Sequence, residues 1–76
     1  MSDDASESYL PEIWVGPDGE PVSCIDKLKL LQENLAELRE MAQEALEDAV
    51  VMGCDERQAR KVLSDLVASL DEPFAR

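Results

Sequence analysis

Histidine is absent from this chain of 76 residues, and cysteine, glycine and the aromatics are scarce, with two, three and three residues respectively. Without histidine the side chain best suited to proton transfer near neutral pH is missing, and no set of nucleophile, base and orienting group can be assembled from the remainder. The chain is therefore not expected to be an enzyme. Cys24 and Cys54 lack the CxxC spacing of a zinc site, and with no histidine they cannot complete a tetrahedral shell within one chain. Carboxylate-held metal pairs in helical bundles need inward glutamates followed three residues on by histidine, which this sequence cannot supply. Neither a metal nor any other cofactor is expected.

Basic residues are also few. Seven Lys and Arg stand against 18 Asp and Glu, for a net charge of -11. Nucleic acids and anionic membranes are polyanions that demand Lys and Arg, so direct binding to either is not expected, and any charged partner should be basic. No apolar run reaches the roughly 18 residues that span a bilayer. The opening Met1-Ser2-Asp3-Asp4 is acidic where a secretory signal is basic. The expected location is the cytoplasm, where both cysteines remain thiols. They also lie at opposite ends of the predicted first helix, too far apart to bridge within one chain.

What the chain does have is a repeating apolar seam. Leu28, Leu31, Leu35, Leu38, Ala42, Ala45, Ala49 and Met52 are spaced alternately by three and four residues. That period forms a stripe along one helix face, and one helix cannot bury its own stripe, so another helix must cover it. Ser23 is a suitable N-cap with Asp26 in the first turn, and no Gly or Pro intervenes before Gly53. The first helix is accordingly predicted over about 24–52. Asp55 and Gln58 form a capping-box pattern that starts a second helix over about 55–70, with Ala59, Val62, Leu63, Leu66, Val67 and Leu70 on one face. So short a connection favours an antiparallel helical hairpin.

Ahead of the helices, Tyr9-Leu10-Pro11-Glu12-Ile13-Trp14-Val15 is aromatic and β-branched, and Gly16-Pro17-Asp18-Gly19 reads as a tight turn before Glu20-Pro21-Val22. The predicted organisation is a disordered acidic tail over 1–8, an extended segment or β-turn hairpin over 9–22, the helical hairpin over 23–72 and a C-terminal tail over 73–76. The fold class is all-α. The second helix is too short to cover the whole of the first, and a two-helix core in so small a chain is marginal. Two copies are therefore expected to associate into a four-helix bundle, with parallel and antiparallel arrangements both open.

Three groups are candidates for function. The seam residues Leu28, Leu31, Leu35, Leu38, Ala42 and Ala45 would carry assembly. Glu33, Glu37, Glu40, Glu44 and Glu47 form a continuous acidic ridge on the opposite face of the helix. Glu33/Glu37, Glu40/Glu44 and Glu44/Asp48 are like-charge pairs four residues apart, each costing a few tenths of a kcal/mol, so the ridge is a candidate for recognition as well as solubility. Tyr9, Ile13 and Trp14 either close the core or form a docking segment that adds to a partner's sheet edge. The only basic cluster, Arg57, Arg60 and Lys61, is expected to pair with Glu44, Glu47 or Asp48, within the chain or between subunits. Together these features predict a small acidic helical interaction module, an adaptor or regulator acting as a homodimer. The alternatives are an inhibitor that mimics nucleic acid and blocks a basic DNA- or RNA-binding protein, or a small accessory or assembly subunit of a larger enzyme.

Overall fold

A computed structural model describes residues 8–74. Apart from Ser8, the predicted acidic tail over 1–8 lies outside the described residues, as do residues 75 and 76 of the C-terminal tail. The described residues form two helices, α1 over Ile25–Val51 and α2 over Glu56–Ala68, and no β-strand. The fold is all-α. The chain divides into two compact units, Met1–Glu37 and Leu38–Arg76, and α1 runs through the boundary.

In the first unit the Gly16–Gly19 turn is closed by its own backbone. Gly19 N–H donates to the Gly16 carbonyl at 2.9 Å, Gly16 N–H to the Glu20 carbonyl at 2.8 Å and Val22 N–H to the Trp14 carbonyl at 2.8 Å. Val15 and Pro21 form an isolated antiparallel bridge. Gly19 sits at φ +85°, a conformation that L side chains adopt at a steric cost, and Asp18 Oδ1 accepts from Glu20 N–H at 3.0 Å. The first helical bond of α1 runs from Leu28 N–H to the Cys24 carbonyl at 3.0 Å. That bond places Cys24, one residue beyond the predicted cap Ser23, at the start of the helix. Asp26 lies in the first turn, where its carboxylate complements the positive end of the helix dipole.

The second unit is a helical hairpin made by the C-terminal half of α1 and by α2. At the end of α1, Cys54 N–H donates to the Ala49 carbonyl at 2.8 Å and Gly53 N–H to the Val50 carbonyl at 3.0 Å, with Gly53 at φ +99°. This pair of bonds around a left-handed glycine is the Schellman motif, which satisfies orphan carbonyls and turns the chain sharply. Asp55, extended at φ -69° and ψ 130°, then caps α2 by accepting from Gln58 N–H at 2.9 Å. At the other end Ser69 closes the helix: its N–H bonds the Asp65 and Leu66 carbonyls and its Oγ donates to Leu66 O at 2.7 Å. That capping ends α2 at Ala68, before the predicted limit near Leu70. At 1.5 Å per residue, the 27 residues of α1 extend about 40 Å and the 13 of α2 about 20 Å.

Candidate interaction surface

Neither helix contains a buried residue, and none of the described residues is fully buried. Of the predicted seam, Leu28, Leu35, Ala42 and Ala49 are half-buried, whereas Leu31, Leu38, Ala45 and Met52 are exposed. The half-buried residues recur every seventh position, with two additions that the alternating spacing passes over, Gln43 and Leu46. On α2 only Ala59 and Leu63 are half-buried. The remaining apolar residues of that face, Val62, Leu66, Val67 and Leu70, are each more than half exposed.

Where the two helices meet in the second unit they leave an apolar groove of about 260 Å³. Ala45, Leu46 and Ala49 line it from α1, and Gln58, Ala59, Val62 and Leu63 from α2. Cys54 lines it from the turn. Three of these residues are alanines, whose short side chains fill little of the space between the helices. Helical neighbours extend the apolar surface beyond the groove. Met41 lies four residues before Ala45, Met52 three after Ala49 and Leu66 four after Val62, and they are 68%, 79% and 53% exposed.

All five ridge glutamates, Glu33, Glu37, Glu40, Glu44 and Glu47, are exposed. Glu47 Oε2 accepts from Gln43 Nε2 at 2.9 Å, one helical turn away. Within one chain, the ion pairs of the basic cluster lie inside α2 and do not reach α1. Arg60 pairs with Glu56 at 2.9 Å and Lys61 with Asp65 at 2.7 Å, both within α2 and both largely exposed. The physical reason is proximity: a carboxylate four residues away on the same helix meets a cation without bringing two elements together. Such exposed pairs contribute about 0–1 kcal/mol each.

In the first unit Trp14 is half-buried while Tyr9 and Ile13 are 46% and 63% exposed. The Trp14 indole N–H is buried and has no hydrogen-bond partner. Cys24 and Cys54 are exposed free thiols. Among the described residues no group of His, Cys, Asp and Glu is arranged to hold a metal ion, and no helix is long and apolar enough to cross a membrane. Comparison with known proteins finds no matching family, no matching curated protein and no matching solved structure.

Proposed function

We propose that this protein is a small acidic helical interaction module, an adaptor or regulator that acts in the cytoplasm as a homodimer. One observation carries the reading: the described residues present apolar helix faces and bury no residue fully. A chain of this size has too little interior of its own and gains stability by covering such faces with a second chain. Large exposed apolar patches on a soluble protein mark surfaces of association. Leu28, Leu31, Leu35 and Leu38 are assigned to assembly, together with Ala42 and Ala45, while the acidic ridge and the Tyr9, Ile13 and Trp14 segment are assigned to recognition of a basic protein. No catalysis is assigned.

The test is the mass in solution by light scattering, with helicity by circular dichroism, for the parent chain and for Leu31→Glu and Leu35→Glu. The expected result is a dimer that either substitution dissociates or unfolds. Unchanged mass and helicity in both variants would overturn the proposal.

The ridge favours a second reading, an inhibitor that presents regularly spaced carboxylates in place of a nucleic acid backbone. All five glutamates are exposed along α1, and binding through them would weaken steeply with salt. Partner binding that survives high salt points back to the apolar adaptor or to an accessory subunit.

A further inference from the structure

We infer that the groove of the second unit is the docking site for an amphipathic helix of another protein, one whose apolar stripe is flanked by Lys and Arg. The inference rests on the reading of a basic protein as partner, and adds to it the form of the docking segment and the place where its apolar face lies. Of the residues assigned to dimer assembly only Ala45 lines the groove, so a dimer held by Leu28, Leu31 and Leu35 does not need it.

The lining selects a helix. Of the eight lining residues only Gln58 carries a strongly hydrogen-bonding side chain. An extended peptide laid there would turn many of its backbone N–H and C=O groups toward hydrocarbon, whereas a helix satisfies its own and presents side chains alone. A helix set between an antiparallel pair also completes a three-helix core, the cover that a lone hairpin lacks. Met41 and Met52 extend the apolar wall on the α1 side and are 68% and 79% exposed. They stand about 16 Å apart along the helix, roughly three turns, and their unbranched side chains adapt to a partner's contour.

The charges bordering the groove select the partner's sign. On the α1 side, Glu44 lies three residues after Met41, and Asp48 three after Ala45 and four before Met52, so helical spacing makes these carboxylates the first charged row outward from the apolar wall. No Lys or Arg occurs between Arg39 and Arg57 to neutralise them locally. On the α2 side the first charged residue outward is also an acid, Asp65, three residues after Val62 and seven after Gln58. Arg57, Arg60 and Lys61 fall by the same spacing on the face of α2 turned away from the groove. Lys61 reaches Asp65 from there at 2.7 Å, in an exposed pair of little strength that leaves the carboxylate open to a second cation. Both rims are therefore acidic, and a helix with Lys or Arg beside its apolar stripe meets opposite charge on either side. A second copy of this chain would instead bring Glu44 and Asp48, or Asp65, as the first charged row beside its own apolar face, setting acid against acid.

The test uses the full chain in reducing buffer at physiological salt and a fluorescein-labelled peptide long enough for about 20 Å of helix, with leucine at helical spacing and lysine elsewhere. A scrambled peptide of the same composition carries the charge without the stripe. Fluorescence anisotropy is expected to show the striped peptide binding about tenfold or more tighter than the scrambled one, and circular dichroism a gain of helix on binding. Val62→Glu, at a lining position 57% exposed, is expected to weaken the striped peptide about tenfold or more. Because that substitution adds negative charge, general attraction of a cationic peptide would rise, so a loss reports the groove. Val67→Glu makes the same change on α2 outside the lining and is expected to leave the affinity within about twofold. Glu44→Gln with Asp48→Gln, both exposed, is expected to weaken binding through the rim alone. Circular dichroism of each variant confirms an intact hairpin. Equal binding of the two peptides, or a Val62→Glu variant that binds as tightly as the parent, overturns the groove and leaves recognition of a basic protein by the ridge standing. Failure of both peptides to bind overturns both. Sedimentation equilibrium supplies the remaining outcome: a parent dimer that Val62→Glu alone dissociates would make a second copy the occupant and overturn the proposal.

Discussion

Cys54 N–H donates to the Ala49 carbonyl at 2.8 Å, and the two side chains line the same apolar groove. The bond and the groove share one cause, the left-handed turn at Gly53, which reverses the chain within four residues and brings the start of α2 beside the end of α1. A Cβ built on Gly53 meets nothing within 4 Å, so space does not require glycine there. Backbone conformation does, since φ is +99°. Gly53→Ala is expected to lower the stability of the hairpin by about 1–2 kcal/mol, read by urea unfolding under circular dichroism. A loss well below that range would show that the turn relaxes to a different conformation without cost.

Asp55 makes a separate contribution on the other side of the turn. Its Oδ2 accepts from Gln58 N–H at 2.9 Å and is the side-chain cap of α2. Asp55→Ala is expected to cost about 1 kcal/mol and Asp55→Ser only a fraction of that, because a hydroxyl oxygen also caps. Equal losses for the two substitutions would assign the effect to charge near the helix end in place of the hydrogen bond.

These punctuating residues were legible in the sequence because their roles are local: Gly53 and Asp55 each act on atoms within a few residues. The stripe of α1 was legible only in part. An alternating three-and-four spacing follows a period of 3.5, whereas a helix packed on one neighbour turns at 3.6 and draws in a flanking position. Leu46, four residues after Ala42 and three before Ala49, is that position, and it is half-buried in the groove where Ala45 is exposed. The ion pairs went the other way. Cross-helix pairing was expected for Arg60 and Lys61, but Glu56 and Asp65 were already one turn away on their own helix. No signal for the groove itself exists in the sequence, because it depends on how closely two helices approach at Ala45, Ala49 and Ala59.

Trp14 gives a test within the first unit. Its ring is half-buried while its N–H is buried without a partner. A buried donor left unpaired costs about 1–3 kcal/mol, whereas the apolar ring is a gain. Trp14→Phe removes the donor and keeps most of the ring, so it is expected to be neutral or mildly stabilising, and Trp14→Ala to destabilise. Thermal unfolding of the two variants separates these contributions. A clear loss in the phenylalanine variant would mean that the indole N–H is satisfied in solution, by water or by a second chain.

The acidic ridge has an energetic signature independent of any partner. Glu33 and Glu37 are like charges one turn apart on α1, as are Glu40 and Glu44, and all four are exposed. Glu37→Lys and Glu44→Lys replace both repulsions with opposite-charge pairs at the same spacing and meet no other base one turn away, for a gain of a few tenths of a kcal/mol per pair. The double variant is expected to unfold at higher temperature than the parent in low salt, with the difference largely lost near 1 M salt, where the Debye length is about 3 Å. Because the variant remains folded, any accompanying loss of partner binding reports recognition by the ridge and not damage to the helix. A fall in stability at low salt would instead show that Glu37 or Glu44 makes a favourable contact in solution, and the ridge would then belong to the fold.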